Sequence, residues 1–324
     1  MKTVRIIHAQ KKVHFILAQK FVLPYEKNFL ALMERIQKNE PCIFLIAEAD
    51  EEGIVLLRGV FSYTSGKAFT PCIPEFTGAV VNLLKSFLCE HKVFCLTGTA
   101  CGVKKIAELI KDVRGELPQD KRELILMRME KNKEEGGALN LNESAAASKD
   151  AAVIKKAHIP NVTGGLCGET GVAYTSERDI SLKNLKIIKC SKSHVNDLMP
   201  LHLSFVKEEV LPPYYESSKA FEFLNLERNL KNHVVLAVKN DAAFVAKAQT
   251  NAVTKNYMQI GGVYTRKEFR GNGFARALVC RIALLALKKK KTCMLYVRRD
   301  NAPALRCYEN AGFVRDGELL MYYF

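Results

Sequence analysis

The stretch IGGVYTRKEFRGNGFARALVC, residues 260–280, joins a strand pattern to a helical pattern through a turn that contains two glycines. The first turn of a helix has unpaired N–H groups and partial positive charge. Gly271 and Gly273 have no Cβ, so a bulky anion can approach the backbone there. Arg270 and Arg276 flank the glycines with fixed positive charge. The stretch therefore predicts an anion-binding turn between a strand and a helix.

Two common phosphate-binding loops do not fit this turn. A Walker loop requires Gly-Lys followed by Ser or Thr, and no such sequence follows here. The dinucleotide fingerprint requires a small residue where Arg276 stands. Three consecutive strand patterns precede the turn, at 233–240, 242–252 and 257–265, and they predict an antiparallel meander rather than a βαβ unit.

A second motif, NAPALRCYENAGF, follows at residues 301–313. Asn301 and Tyr308 are separated by close to two helical turns, so both side chains lie on one side of the predicted helix. Asn301 is also a good helix N-cap. The motif therefore predicts a short helix with an amide and a phenol on one side.

Together the two motifs resemble the GNAT acetyltransferase superfamily. In that family an Arg/Gln-x-x-Gly-x-Gly/Ala turn cradles the pyrophosphate of acetyl-CoA, and Arg270, Gly273 and Ala275 match it. The family's second signature is matched by Asn301, Ala304, Tyr308, Gly312 and Phe313. The resemblance covers about residues 185–324.

The resemblance implies acetyl-CoA as cosubstrate, with its pyrophosphate on the glycine turn. It implies a bulge at Gly261–Gly262, where the sheet splays open for the pantetheine arm, whose amides pair with the strand backbone. It also implies that Tyr308 protonates the departing thiolate. The implied cofactor-binding residues are Val263, Tyr264, Thr265, Arg270, Gly271, Asn272, Gly273, Phe274, Ala275, Arg276 and Asn301.

The acceptor side of such a site is less sharply defined by the sequence. Acetylation requires a neutral amine, so a carboxylate or a water chain must accept a proton. Glu208 and Glu209, at the end of the helical pattern 195–211, are candidates to hold a cationic amine, or else are solvated charges at a helix end. Tyr257 and Gln259 alternate toward one face of their strand and are further candidates for the acceptor site.

The order of elements suggests that the fold occurs twice. Residues 1–130 and 181–324 both run through strands, helix, strand, short helix and strand. We expect an α/β (α+β) fold in two tandem GNAT-like copies, each with a mixed, mostly antiparallel sheet flanked by helices. The first copy lacks both motifs and is expected to be degenerate or accessory, and the second is expected to be catalytic. Residues 131–180 are predicted to form a flexible linker or long loop, since their first part has no aromatic residue and no sustained apolar face.

Charge favours an anionic partner for the second copy. The net charge of the chain is +15, and most of it falls in residues 181–324. A phosphorylated cofactor fits this charge. No ribonucleoprotein or helix-turn-helix pattern favours nucleic acid.

Other sequence features narrow the protein class. No apolar run approaches the roughly 20 residues needed to span a bilayer, and the N-terminal residues do not resemble a signal peptide, so a cytoplasmic protein without membrane partners is expected. The ten cysteines include no CxxC pair and predict buried apolar residues rather than a metal site.

These observations predict an N-acetyltransferase in which an amine attacks the thioester of acetyl-CoA directly within a ternary complex. The acceptor amine, on a small molecule or a protein, is not identified by the sequence. Two alternatives stay open. One is a non-catalytic CoA-binding or regulatory protein with the same fold, and the other is a transferase of a different acyl group.

Overall fold

The computed structural model describes residues 3–49, 55–129, 186–240 and 242–324. The predicted linker, 131–180, lies outside the described residues.

The N-terminal half consists of six strands and four α-helices in the described residues. In chain order they are β1 (Thr3–His8), α1 (Lys12–Val22), α2 (Leu30–Gln37), β2 (Ile43–Ala49), β3 (Val55–Tyr63), β4 (Ala68–Cys72), α3 (Gly78–Glu90), β5 (Cys95–Gly98), α4 (Ala100–Arg114) and β6 (Asp120–Met129).

The C-terminal half repeats this order. Its elements are β7 (Ile187–Cys190), α5 (Val195–Phe205), α6 (Lys219–Asn232), β8 (Val235–Asn240), β9 (Ala243–Val253), β10 (Tyr257–Thr265), α7 (Phe274–Lys288), β11 (Thr292–Arg298), α8 (Ala302–Glu309) and β12 (Phe313–Tyr323). The predicted tandem arrangement is thereby confirmed. The helix predicted over 195–211 is shorter in the structure: it ends at Phe205 and is followed by a π-helical turn, Val206–Val210. The strands predicted over 233–240 and 242–252 are shifted by one or two residues at their ends.

All twelve described strands form one sheet, in the order β1-β2-β3-β4-β5-β12-β6-β11-β10-β9-β8-β7. The pairs β4–β5 and β10–β11 are parallel, and every other neighbouring pair of described strands is antiparallel. The mostly antiparallel, mixed sheet predicted from the sequence is therefore confirmed. Each parallel pair lies in the corresponding place of its own half.

The two halves exchange their last strands. β6, from the N-terminal half, lies between β11 and β12, while β12 pairs on its other side with β5. β6 and β12 pair along their length, from Phe313 opposite Met129 to Tyr323 opposite Asp120. Each half therefore completes the sheet of the other, and the halves share one continuous set of backbone hydrogen bonds.

Helices cover both faces of the C-terminal part of the sheet. α7 lies on one face and is buried at most of its positions, including Leu278 and Ile282, which pack against Met258 and Ile260 of β10. Helices α5 and α6 lie on the other face, where they pack with Phe244 and Tyr264. This leaves the carboxyl end of β10 between α7 and α5, where the glycine turn begins.

Candidate active site

The sheet opens beside the glycine pair of β10, Gly261–Gly262. β10 pairs with β11 only from Tyr257 opposite Thr292 to Ile260 opposite Leu295. Beyond Ile260 the strand is irregular, since its register with β9 shifts on both sides of Gly261. The strand therefore bulges where the sequence predicts it, and β11 separates from it at the same point.

Backbone conformation explains one of the two glycines of the bulge. Gly262 has φ of +56°, a left-handed conformation that side chains disfavour, and a Cβ there would lie 2.9 Å from the buried side chain of Gln249. A Cβ on Gly261 would lie 1.9 Å from Nδ2 of Asn251, but Asn251 is exposed and its amide can turn aside. The sequence therefore specifies the bulge most strictly at Gly262.

The glycine turn leads directly into α7. A 3-10 turn, Lys267–Phe269, precedes Gly271 with φ of +83° and Gly273 with φ of +76°. Helix α7 begins at Phe274, and no side chain in the described part of the chain caps it. Asn272 instead donates from Nδ2 to the carbonyl oxygen of Phe269 at 3.0 Å. The first N–H groups of an uncapped helix, next to two positive-φ glycines, form a cradle that fits a phosphate group.

Arg270, the first residue of the predicted anion motif, contacts a predicted acceptor residue. Its Nη2 lies 2.5 Å from Oε1 of Glu208, and its Nε donates to the carbonyl oxygen of Thr265 at 3.0 Å. The hydroxyl of Tyr264 donates to the other carboxylate oxygen of Glu208 at 3.0 Å. Burial raises the pKa of Glu208, but the hydrogen bonds from Arg270 and Tyr264 outweigh it and hold that pKa below its usual value.

A cavity of about 920 Å³ lies beside this ion pair. Its walls come from the start of β6, from the π-helical turn with the segment after it, and from the end of β11. Glu208 lines the cavity, and the neighbouring Glu209 reaches Arg298 with 3.7 Å between Oε2 and Nη2. Among the lining residues that the sequence did not indicate are Arg122, Glu222 and Arg298. A cavity of this size is typical of small-molecule sites.

Buried polar atoms without a partner cluster around the bulge. Within the described residues, Oε1 of Gln249, Oε1 of Gln259 and Oγ1 of Thr265 are buried and make no hydrogen bond. Gln249 lies opposite Gly261 on β9, and the other two belong to β10. Because buried polar groups are nearly always hydrogen-bonded, this cluster indicates a place where a polar ligand or water is bound.

A buried lysine lies under the bulge. Lys247 on β9 is inaccessible to solvent, donates from Nζ to the carbonyl oxygen of Gly262 at 3.3 Å and lies 4.2 Å above the ring of Phe205. Burial lowers its pKa to about 7. Sequence reasoning did not identify this residue, because nothing in the local pattern distinguishes it from an exposed strand lysine.

The second motif forms the predicted short helix. Oδ1 of Asn301 accepts from the N–H of Ala304 at 3.1 Å, which confirms the N-cap. Tyr308 is only 7% exposed and packs in the core, with its ring centroid 6.4 Å from that of Phe313. Burial, with smaller contributions from Cys307 and Glu209, raises the pKa of Tyr308 well above its usual value. The phenol is therefore protonated at neutral pH and retains a proton to donate.

Tyr257 and Gln259 lie apart from the cavity. Tyr257 packs with Leu30 and Met294, where β10 and β11 are still paired. Gln259 follows two positions later, next to the bulge, and is buried. Four residues were predicted for the acceptor site. The structure places Glu208 in the cavity wall and Glu209 behind it, whereas Tyr257 and Gln259 lie on β10, outside the cavity.

No group of three or more His, Cys, Asp or Glu side chains in the described segments of the chain is arranged to hold a metal ion. None of the helices in the same segments is long and apolar enough to cross a membrane.

Comparisons with known proteins agree with this geometry. Residues 242–321 match the model of the FR47-like protein family. No curated protein sequence matches the chain.

Among the solved structures that resemble this chain, three match over nearly its whole length. A GNAT-family acetyltransferase from Colwellia psychrerythraea has a TM-score of 0.53 and 9% identity, and the match covers 99% of both chains. A Drosophila protein has a TM-score of 0.58 and 9% identity, covering 99% of this chain and 98% of its own.

The third structure is a tandem GNAT protein from the clavulanic acid biosynthesis pathway, solved without AcCoA. Its TM-score is 0.55 at 10% identity, and the match covers 99% of this chain and 98% of that one. Its two-copy organisation corresponds to the repeated order of elements described above. This chain therefore has the fold of the GNAT acetyltransferases in tandem form, with an FR47-like segment in its C-terminal half.

Proposed function

We propose that the protein is an N-acetyltransferase that moves an acetyl group from acetyl-CoA to an amine by direct attack in a ternary complex. One observation carries the proposal. The pairing of β10 with β11 ends at Ile260, so the sheet opens between the glycine turn and the cavity. A donor held along β10 and an acceptor in the cavity would then meet at the opening, which favours direct transfer over separate steps.

The residues of the opening fit acetyl-CoA. The uncapped start of α7 and the positive-φ glycines Gly271 and Gly273 would hold the pyrophosphate, with Arg270 and Arg276 close by. The backbone from Val263 to Thr265 would pair with the pantetheine amides, as an added strand does. The remaining members of this proposed site are Tyr264, Asn272, Phe274, Ala275 and Asn301.

The chemistry divides between the two sides of the opening. Acetyl-CoA, when bound, supplies an acetyl group activated as a thioester. Tyr308 would hold the proton that the departing thiolate needs, because burial keeps its phenol protonated. On the cavity side, Glu208 and Glu209 would hold the acceptor amine and help to receive its proton, directly or through water. Gln259, buried beside the bulge with an Oε1 that makes no hydrogen bond to the described residues, would contribute to the opening, whereas Tyr257 lies at the other end of β10.

An assay of thiol release tests this proposal. The protein is mixed with acetyl-CoA and one amine at a time, chosen from a polyamine, an amino acid, an aminoglycoside and a peptide with a free N-terminus. With one class of amine, we expect CoA thiol to be released. The mass of that amine should increase by about 42 Da, the mass of one added acetyl group. Absence of transfer to all four classes, with acetyl-CoA bound, would favour a non-catalytic role.

A binding-only role is the second candidate, and one contact favours it. Glu208 already accepts hydrogen bonds from Arg270 and Tyr264, which hold its pKa below its usual value and make it a weak base. Transfer of a different acyl group is a variant of the first proposal. Replacing acetyl-CoA by propionyl-CoA or butyryl-CoA in the same assay separates the donors.

A further inference from the structure

The exchanged strand β6 brings the N-terminal half into the wall of the cavity. Residues 120–123, at the start of β6, line it together with residues of the C-terminal half. Arg122 is the central member of this group. Its side chain is 10% exposed, and its Nε donates to Oδ2 of Asp120 at 2.7 Å. Its guanidinium also lies 4.8 Å over the ring of Tyr323 on β12.

The remaining contacts of Arg122 are to the π-helical turn. Nη1 donates to the carbonyl oxygen of Val210 at 2.8 Å and to that of Glu209 at 3.2 Å. The hydroxyl of Tyr323 donates to the same Val210 oxygen at 3.0 Å. The last carbonyl groups of a helix have no partner within the helix, and an arginine near that end can satisfy them. Arg122 therefore caps the turn from the opposite half of the protein.

The capped turn carries the residue that links the two sides of the site. Glu208 lies on this turn, lines the cavity and pairs with Arg270 of the glycine turn. π-helical turns are rare, and they occur often at functional sites. Two exchanged strands, β6 and β12, hold this turn from outside the helix through Arg122 and Tyr323.

We propose that Arg122 is a positioning residue of the transferase site, which it serves by fixing the turn 206–210 and, through it, Glu208 in the cavity. The inference rests on the proposed function. It gives the N-terminal half a direct part in the reaction of the C-terminal half, without any ligand of its own. Arg122 contacts no residue of the glycine turn, so it affects acceptor chemistry rather than acetyl-CoA binding.

Arg128 provides a matched control. It belongs to the same strand, is 39% exposed, pairs with Asp316 at 3.4 Å and does not line the cavity. The test compares Arg122→Ala, Arg122→Lys and Arg128→Ala. Acetyl-CoA affinity is measured by titration calorimetry, and transfer is measured with the amine from the four classes above that the wild type acetylates best.

We expect Arg122→Ala to bind acetyl-CoA within about twofold of the wild type and to lose on the order of 100-fold in kcat/KM for the amine. Arg122→Lys should recover part of the loss. Guanidinium chloride at millimolar concentration should partly restore Arg122→Ala, because the ion can occupy the vacated space, and should leave Arg128→Ala unchanged.

The outcomes separate the two claims. Wild-type transfer with an equally active Arg122→Ala overturns the positioning role and leaves the proposed function intact. Two other results also overturn the positioning role, since they indicate a folding defect. One is a loss of kcat/KM in Arg122→Ala that is relieved neither by guanidinium chloride nor by the Arg122→Lys substitution. The other is a loss of kcat/KM that is accompanied by a loss of acetyl-CoA binding. A wild type that transfers to no amine overturns the proposed function, and the inference with it.

Discussion

Glu208 and Arg270 form an ion pair, with 2.5 Å between Oε1 and Nη2, that joins the acceptor cavity to the glycine turn. Glu208 reaches this position from the π-helical turn after α5, and Arg270 reaches it from the turn before α7. The pair therefore connects the proposed acceptor site with the proposed acetyl-CoA site. A pyrophosphate bound at the glycine turn would share the positive charge of Arg270 with this carboxylate.

Glu208→Gln should tighten the binding of acetyl-CoA. A neutral amide attracts the guanidinium of Arg270 less than a carboxylate does, so Arg270 becomes more available to the pyrophosphate. Since the pair is partly exposed, we expect a gain of roughly two- to fivefold in affinity by calorimetry. Glu268→Gln, two residues before Arg270 and outside this pair, serves as the control. Unchanged or weaker binding in Glu208→Gln would show that the ion pair does not compete with the ligand.

Gly262→Ala should disrupt the bulge. Its φ of +56° is strained for alanine, and the new Cβ would lie 2.9 Å from the buried side chain of Gln249. Strain and overpacking of this kind cost about 1–3 kcal/mol in the free energy of unfolding, and acetyl-CoA affinity should fall with it. Gly78→Ala is the control, since a Cβ there meets nothing within 4 Å. Chemical denaturation measures the first effect and calorimetry the second. Equal behaviour of the two variants would contradict a conformational role for Gly262.

The sequence predicted the parts of this site that depend on local chemistry. Gly271, Gly273 and Asn301 are required by a positive-φ turn and a helix cap, and both features were found in place. The cavity was not predictable in the same way. Arg122 reaches it only because β6 inserts between β11 and β12, and no local pattern specifies which strand neighbours which. Glu208 and Arg270 are likewise far apart in the chain, so no local sequence pattern predicts that they are in contact.

The free energy of unfolding should depend on pH through Lys247. Burial lowers its pKa from 10.5 to about 7 in the folded protein. Between those values the unfolded chain binds a proton that the folded chain lacks, so stability rises with pH. Below about pH 7 both states hold the proton and this dependence ends. The neighbouring ionisable groups are His202, whose pKa burial lowers, and Tyr264, whose pKa burial raises.

Lys247→Met removes this contribution. Relative to the wild type, the variant should gain most stability at or below pH 7, and the gain should shrink by roughly 1.4 kcal/mol per pH unit above it. Urea denaturation between pH 6 and pH 9 measures the difference, with the exposed Lys189→Met as control. A difference that does not change with pH would show that Lys247 keeps an ordinary pKa in the folded protein.

Tyr308→Phe should lower turnover much more than it weakens acetyl-CoA binding. The substitution keeps the buried ring in the core and removes only the hydroxyl. Loss of a general acid reduces rates by roughly 10²-fold or more. Steady-state kinetics and calorimetry give the two quantities, with the exposed Tyr25→Phe as control. An unchanged kcat would remove Tyr308 from the mechanism.

Calorimetric titration of the protein with acetyl-CoA tests the central claim most directly, because every step above depends on a donor held at the glycine turn. Gly273→Asp adds a negative charge and a strained side chain at φ of +76°, whereas Gly78→Asp adds the same charge at an open position. We predict binding by the wild type and by Gly78→Asp, and none detectable by Gly273→Asp. No binding by the wild type, or undiminished binding by Gly273→Asp, would contradict the account.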